Sequence, residues 1–331
     1  MSIATRKFNI VKIILNKSIF NENIIDIILQ YYWNILDCKK KILVNWINIE
    51  KLNWIELSQN PNAIALLKAN QDKIDWKRFS KNPNAIKLLK ENQDKIDWYE
   101  LSSNPNAIDL LKENQDKINW SMLSQNPNAI DLLKENQNKI DWSMLSINKN
   151  AIHLLKKNKD KIDWYWLSLN LNAIGLLREI IECKSSLTNK EYNKLDYIEQ
   201  INWNYLSKNP NAIALLKANQ NKIDWKWLSL NPNAIELLKD KQDKICWYFL
   251  CVNPNAIELL KKNQDKIDWS ELSINPNAIE LLKENQNKID WYWLSCNPNA
   301  INLLKENQDK INWFRLSSNP AIFEDEPMSI I

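Results

Sequence analysis

Residues with the chemistry for catalysis are few and poorly spaced for it. A single histidine, His153, serves 331 residues, so a Ser-His-Asp triad would rest on it alone and a multi-histidine metal site is excluded. It stands where other copies of a repeat described below carry Asp131 or Glu236, at an outward helix position where a lone histidine is inert. The five cysteines are Cys38, Cys183, Cys246, Cys251 and Cys296. Their number is odd and none forms a C-x-x-C pair, so free thiols in a reducing compartment are expected. With one glycine in the chain, a Gly-rich phosphate loop and a dinucleotide fingerprint are both excluded. Carboxylates and lysines are plentiful, but they recur at fixed offsets, as Lys95 and Asp97 do. Such ladders read as a solvated face, not as a pocket on which different groups converge. The expectation is a non-enzymatic protein without cofactor or metal.

Charge narrows the partners. Lys and Arg total 44 against 40 Asp and Glu, a net +4. That is too little over this length to announce a nucleic acid. The N-terminal run FNIVKIILN is broken by Asn9 and Lys12 and leads to no small-residue cleavage site, so it is a poor signal peptide. No apolar stretch reaches the roughly 18 residues of a membrane span. A cytoplasmic protein follows as the expectation.

The elements that must position any site form a repeat. Tryptophans fall every 22 residues from Trp54 to Trp164 and again from Trp203 to Trp313, giving twelve copies with a 17-residue insertion between the sixth and seventh. In the copy WKRFSKNPNAIKLLKENQDKID, Asp75 precedes Trp76 as an N-cap. Trp76, Phe79 and Ser80 then share one face of a short α or 3₁₀ helix. Asn82 and Pro83 open a second helix, whose stripe is Ala85, Ile86, Leu88 and Leu89. Asn92 ends it, in the left-handed conformation that glycine would otherwise take. Ile96 returns to the core before the next cap, Asp97. Burial within one unit does not offset the entropy of ordering 22 residues, so units must stack. The fold expected is an all-α superhelical solenoid without strands, its tryptophans mostly buried. The seventh residue of the unit is Asn in all twelve copies; a cap joined to a hydrogen-bonded stack between repeats accounts for it.

The core LSSNPNAIDLLKEN of Leu101–Asn114 resembles the leucine-rich-repeat variant family, which implies a right-handed superhelix alternating α and 3₁₀ helices. The fuller NPNAIELLKENQNKIDW of Asn275–Trp291 resembles Asn-rich repeat proteins of giant DNA viruses, and LSSNPAIFEDE of Leu316–Glu326 resembles their terminal unit, shortened by one Asn. Residues 46–326 carry this resemblance. It implies architecture and a host or virion partner, and it transfers no catalytic residue. Lys149 and Leu171 depart from the pattern by replacing the repeat proline.

The flanks divide the chain further. Residues 1–45 form an apolar N-terminal segment, read as a helical cap on an open solenoid end, with an F-box-like module recruiting a ubiquitin ligase as the alternative. Residues 46–180 hold repeats 1–6, 181–197 a polar insertion, 198–326 repeats 7–12, and 327–331 a tail. Residues 46–53 look like a partial unit leading into Trp54.

A candidate site emerges from the positions that vary. The third and sixth residues of the unit lie opposite the Trp/Leu face of the first helix. In the first three units they are polar: Glu56, Gln59, Arg78, Lys81, Glu100 and Ser103. From the middle onward they become Met144, Ile147, Trp166, Leu169, Tyr205, Trp227, Leu230, Phe249, Val252, Ile274, Trp293 and Cys296, interrupted by Lys208 and Glu271. A contiguous exposed apolar stripe of this length marks an interface, with Trp166, Trp227 and Trp293 as its anchors. A protein partner or self-association is expected there. Single-stranded nucleic acid is the alternative, kept open by Tyr99, Tyr165, Tyr248 and Tyr292; the carboxylates beside every lysine pair argue against it.

Overall fold

The computed structural model describes residues 41–183 and 201–327. Each unit has three helical segments, as in unit 2: a first helix Trp76–Lys81, a second helix Ile86–Glu91 and a 3₁₀ turn Gln93–Lys95. The first helix starts where the sequence says it should. The Asp75 carboxylate accepts from the Arg78 backbone N–H at 2.9 Å, and its counterparts in other units do the same, for example Asp97, Asn119 and Asp268. Cys246 heads its helix without a side-chain hydrogen bond.

Two local expectations are corrected. None of the described residues has positive φ: Asn92 sits at φ −135°, ψ 53°. It ends the helix instead by donating its side-chain amide to the Leu88 carbonyl at 3.0 Å, which satisfies an orphan carbonyl without a left-handed residue. Asn82 caps the turn through Pro83, accepting from the Asn84 N–H at 3.1 Å, and the second helix begins only at Ile86. In unit 6 no Asn stands at the stop position, and the second helix runs on from Ile174 to Cys183.

The core lies between the two helix layers. Phe79, Ala85, Leu88, Leu89 and Ile96 are buried, as are most of their equivalents around the molecule, Leu66 and Leu237 being half-buried. The unit-start tryptophans are half-buried, with Trp164 alone fully buried among the described residues. Sequence reading placed them deeper; the structure instead lays the lysine of the 3₁₀ turn over the indole, as Lys95 does over Trp76 at 4.7 Å. The amphipathic stem and charge of lysine cover the ring that the thin layer cannot.

The solenoid closes on itself. Asn82 donates its side-chain amide to the carbonyls of Ser58 and Asn60 in the preceding unit, at 3.1 and 3.0 Å. Asn60 makes the same two bonds to Ser317 and Asn319 of unit 12, each at 3.1 Å, and the first helices of units 12 and 1 pack together. The missing tail of unit 12 comes from the other end of the chain. The 3₁₀ turn Ile49–Lys51 follows Asn48, Lys51 covers Trp313 at 5.0 Å, and the Asn53 N–H donates to Ser317 Oγ at 2.7 Å. In unit 2 the corresponding bond joins the Asp97 N–H to Ser80 Oγ. Residues 48–53 are therefore positions 17–22 of the last unit. A two-stranded antiparallel sheet, β1 (Lys41–Leu43) and β2 (Phe323–Asp325), staples the junction, with Lys41 paired to Asp325 at 2.8 Å. That sheet corrects the expectation of a strand-free fold. The N-terminal edge of the repeats packs on unit 12. The proposed cap and F-box-like module lie outside the described residues apart from 41–45.

The insertion does not interrupt the ring. Asn209 donates to the Asn170 carbonyl at 3.1 Å and Asn211 to that of Leu171 at 2.8 Å. Because only the carbonyl of position 8 is used, Lys149 and Leu171 serve as well as proline, Lys149 accepting from Asn172 at 2.9 Å.

Candidate partner-binding belt

Neighbouring first helices pack directly on one another, whereas second helices do not approach as closely. In a closed ring the more tightly spaced layer is the inner one, so the first helices form the wall of a central opening. Their positions 4 and 5, such as Leu101 and Ser102, are buried toward the second helices. Positions 3 and 6 lie opposite, at 100° per residue, and face the opening.

The eleven predicted contact residues, Met144, Ile147, Trp166, Leu169, Tyr205, Trp227, Leu230, Phe249, Val252, Ile274 and Trp293, all occupy this belt and are all half-buried. The sequence leaves them either exposed or covered by the insertion or a neighbouring helix. From unit 6 to unit 9 position 3 of one unit meets position 3 of the next. Trp166 stacks on Tyr205 with ring centroids 6.1 Å apart, Tyr205 meets Trp227 at 6.3 Å, and Trp227 meets Phe249 at 5.7 Å. The same position is polar on the opposite arc, where Arg78 pairs with Glu56 at 2.8 Å. Between the arcs, Arg315 lies over Trp293 at 4.4 Å and donates to Cys296 Sγ at 3.3 Å. Around the ring, the belt has an apolar arc from unit 4 to unit 9, a mixed stretch in units 10 and 11, and a polar arc from unit 12 through the junction to unit 3.

Position 2, at the edge of the belt, carries the exposed aromatic residues. Tyr99 is 53% exposed and Tyr248 49%, and Tyr165, Tyr292 and Phe314 are similar. Sequence reasoning considered four of these only as nucleic-acid contacts. Tyr165 packs edge-on against Tyr205 with ring centroids 5.4 Å apart, and the Glu271 carboxylate beside Tyr248 raises the pKa of that phenol. Lys208 lies over Trp227 at 5.7 Å and Lys226 over Phe249 at 5.3 Å.

Among the described residues no group of three His, Cys, Asp or Glu side chains could hold a metal. His153 is exposed on its second helix, and Cys251 is buried, which pushes its thiol up to about 11. No helix among the described residues is long and apolar enough to cross a membrane. The regular 22-residue period and its helical units stand as a helical repeat; no protein-family model, curated protein or solved structure matches the chain.

Proposed function

We propose that this ring is a non-enzymatic interaction scaffold that holds a protein partner through the belt around its opening. The observation that carries the reading is a division of labour within the unit. Positions 4, 5, 7, 10, 14 and 21 make the core and the hydrogen-bonded ladder and hardly change, whereas positions 3 and 6 range from Glu56 and Lys81 to Trp227 and Leu230 on one backbone frame. Repeat scaffolds place specificity in such freely varying positions, and aromatic anchors dominate interface energetics. The resemblance to Asn-rich viral repeat proteins supports a host or virion partner in a cytoplasmic setting.

The test replaces Trp166, Trp227 and Trp293 with Ser and compares tagged wild type and variant in affinity purification with mass spectrometry. The reading expects a partner captured by the wild type and lost in the variant, with helical circular dichroism unchanged. Undiminished capture by the variant overturns it.

A further inference from the structure

One carboxylate on the inner wall stands without a cation. Glu271, at position 3 of unit 10, is half-buried between Phe249 of unit 9 and Trp293 of unit 11. We infer that Glu271 and the rings on either side of it receive an arginine side chain of the protein partner, a deepening of the interaction role proposed above, on which it rests. Charge comes first. The other glutamates at position 3, Glu56 and Glu100, each stand next to unit 2, which carries Lys77, Arg78 and Lys81 at positions 2, 3 and 6. Arg78 pairs with Glu56 at 2.8 Å. At those positions units 9 and 11 carry Tyr248, Phe249 and Val252, and Tyr292, Trp293 and Cys296. No lysine or arginine pairs with Glu271 among the described residues. An apolar occupant would strip this carboxylate of water and leave its charge unpaired, and an anionic one would be repelled. The wall at unit 10 therefore selects a cation.

Ring faces come second. Trp227 and Lys226, which lie against Phe249 at 5.7 and 5.3 Å, both belong to unit 8. Arg315, which lies over Trp293 at 4.4 Å, belongs to unit 12. The cover thus reaches both rings from the sides away from unit 10, and their other sides flank Glu271. Tyr248 stands edge-on to Phe249 and Tyr292 edge-on to Trp293, with centroids 5.5 and 5.1 Å apart, so each wall of the slot is two rings wide. The Glu271 carboxylate lies close enough to Tyr248 to raise the pKa of its phenol. Aromatic walls around a carboxylate suit an organic cation, which the ring faces attract as the carboxylate does.

The kind of cation follows from the walls and the single carboxylate. A metal ion takes several ligands, and no group of three His, Cys, Asp or Glu side chains among the described residues could hold one. A guanidinium is flat, stacks on rings and meets a carboxylate with two parallel N–H donors, whereas a lysine ammonium offers neither a flat face nor paired donors. The inner wall already makes both contacts with its own arginines. Arg78 donates to the Glu56 carboxylate at 2.8 Å, and Arg315 lies over Trp293 at 4.4 Å. At unit 10 the glutamate and the rings are present and the arginine is left to the partner.

The experiment labels the full chain with 5-fluorotryptophan and follows it by fluorine NMR, the Trp293 signal being the one lost in Trp293→Phe. The probes are N-acetyl-arginine methylamide, its lysine and glutamate counterparts, and tetramethylammonium chloride, all at one ionic strength. The arginine probe is expected to shift the Trp293 signal saturably at millimolar concentration. The lysine probe and tetramethylammonium bind more weakly, and the glutamate probe leaves the signal in place. Glu271→Gln weakens the arginine response about fivefold, the weight of one partly exposed ion pair. Since Met122 and Met144 stand at the same position on the same frame, this variant keeps the fold, checked by circular dichroism. A still Trp293 signal, equal shifts of all tryptophan signals, an equal or tighter response to any other probe, or an unchanged response in Glu271→Gln overturns the inference. If the triple Trp→Ser variant loses a cellular partner while no probe moves Trp293, the interaction role stands and the arginine contact falls. If that variant keeps the partner, the role itself falls and the arginine contact with it.

Discussion

Ring closure makes a quantitative demand: the junction between units 12 and 1 should be worth as much as any junction inside the chain. Asn148 and Asn60 test this as a pair. Asn148 donates to the Ser124 and Asn126 carbonyls at 3.0 and 2.8 Å and accepts from the Asn150 N–H at 3.0 Å. Asn60 donates to Ser317 and Asn319 at 3.1 Å each and accepts from the Asn62 N–H at 3.0 Å. Both side chains are buried. Truncation to Ala removes three hydrogen bonds at about 1 kcal/mol net apiece and strands one carbonyl in the core, that of Ser124 or Ser317, while those of Asn126 and Asn319 still accept from the Ala129 and Ile322 N–H groups, so about 4 kcal/mol is expected for each. Over a ring that unfolds as one body of nearly 290 residues, that lowers Tm by about 7 °C.

Calorimetry of Asn60→Ala and Asn148→Ala should therefore return similar losses, and X-ray scattering should give both variants the radius of gyration of the wild type. The informative failure is asymmetry. If Asn148→Ala loses several degrees while Asn60→Ala loses almost none and its radius grows, the junction opens at little cost and the molecule is an open solenoid in solution. If neither loses stability, the ladder carries no energy and the account of the invariant Asn is wrong.

Further expectations concern two departures at the first helix of unit 9, its cap residue Cys246 and Cys251 within it. Cys246→Asp supplies the absent acceptor to the Phe249 N–H and should stabilise by about 1 kcal/mol, a rise in Tm of about 2 °C; an unchanged or lower Tm refutes the cap. Burial holds the Cys251 thiol up at about 11 against about 8.5 for a free thiol. The folded state thus keeps a proton that the unfolded state releases, so stability is full below pH 8.5 and falls as pH rises toward 11. Cys251→Ser should remove that part of the slope in urea midpoints measured between pH 7.5 and 10, and identical slopes for the two proteins refute it. In the folded wild type, iodoacetamide at pH 8 should modify the half-buried Cys246 and Cys296 well before Cys251.

The unit itself was legible because each of its signals is local. A cap needs only an acceptor before the first turn, as Asp75 gives Arg78, and an apolar stripe needs only the helical period, as Leu88 and Leu89 keep. The placement of Asn82 between a cap and a stack was legible for the same reason. Closure was not, because it depends on the rotation between units, a twelfth of a turn each, which no single residue encodes. One signal was nevertheless present. Asn48–Asn53 reads NIEKLN, the pattern of the unit tail Asn70–Asp75, NQDKID, while unit 12 stops short of its own tail. Two incomplete units at opposite ends of the chain sum to one whole unit only if the ends meet. The burial of the belt was missed with it, since on an open array Trp166 and Tyr205 would face solvent, and curvature brings them together.

Closure also explains how so varied a belt sits on so constant a frame. Units with Trp at position 3 have first helices of four residues: Trp164–Leu167, Trp225–Leu228 and Trp291–Leu294. Units with Glu or Met there run to six, as in Trp54–Gln59 and Trp142–Ile147, and those with Arg to six or five, Trp76–Lys81 and Trp313–Ser317. The change is absorbed within one turn. In the short helices Ser168, Ser229 and Ser295 keep right-handed helical angles, so the chain leaves in the same direction. Asn170, Asn231 and Asn297 still reach the preceding unit at 2.9–3.0 Å. The ladder is built from backbone carbonyls and one invariant amide, and it does not register what stands at position 3. A ring held by such a ladder can exchange a Glu–Arg pair for a tryptophan stack without losing register, which is the property a scaffold needs if its inner wall is to be shaped by its partner.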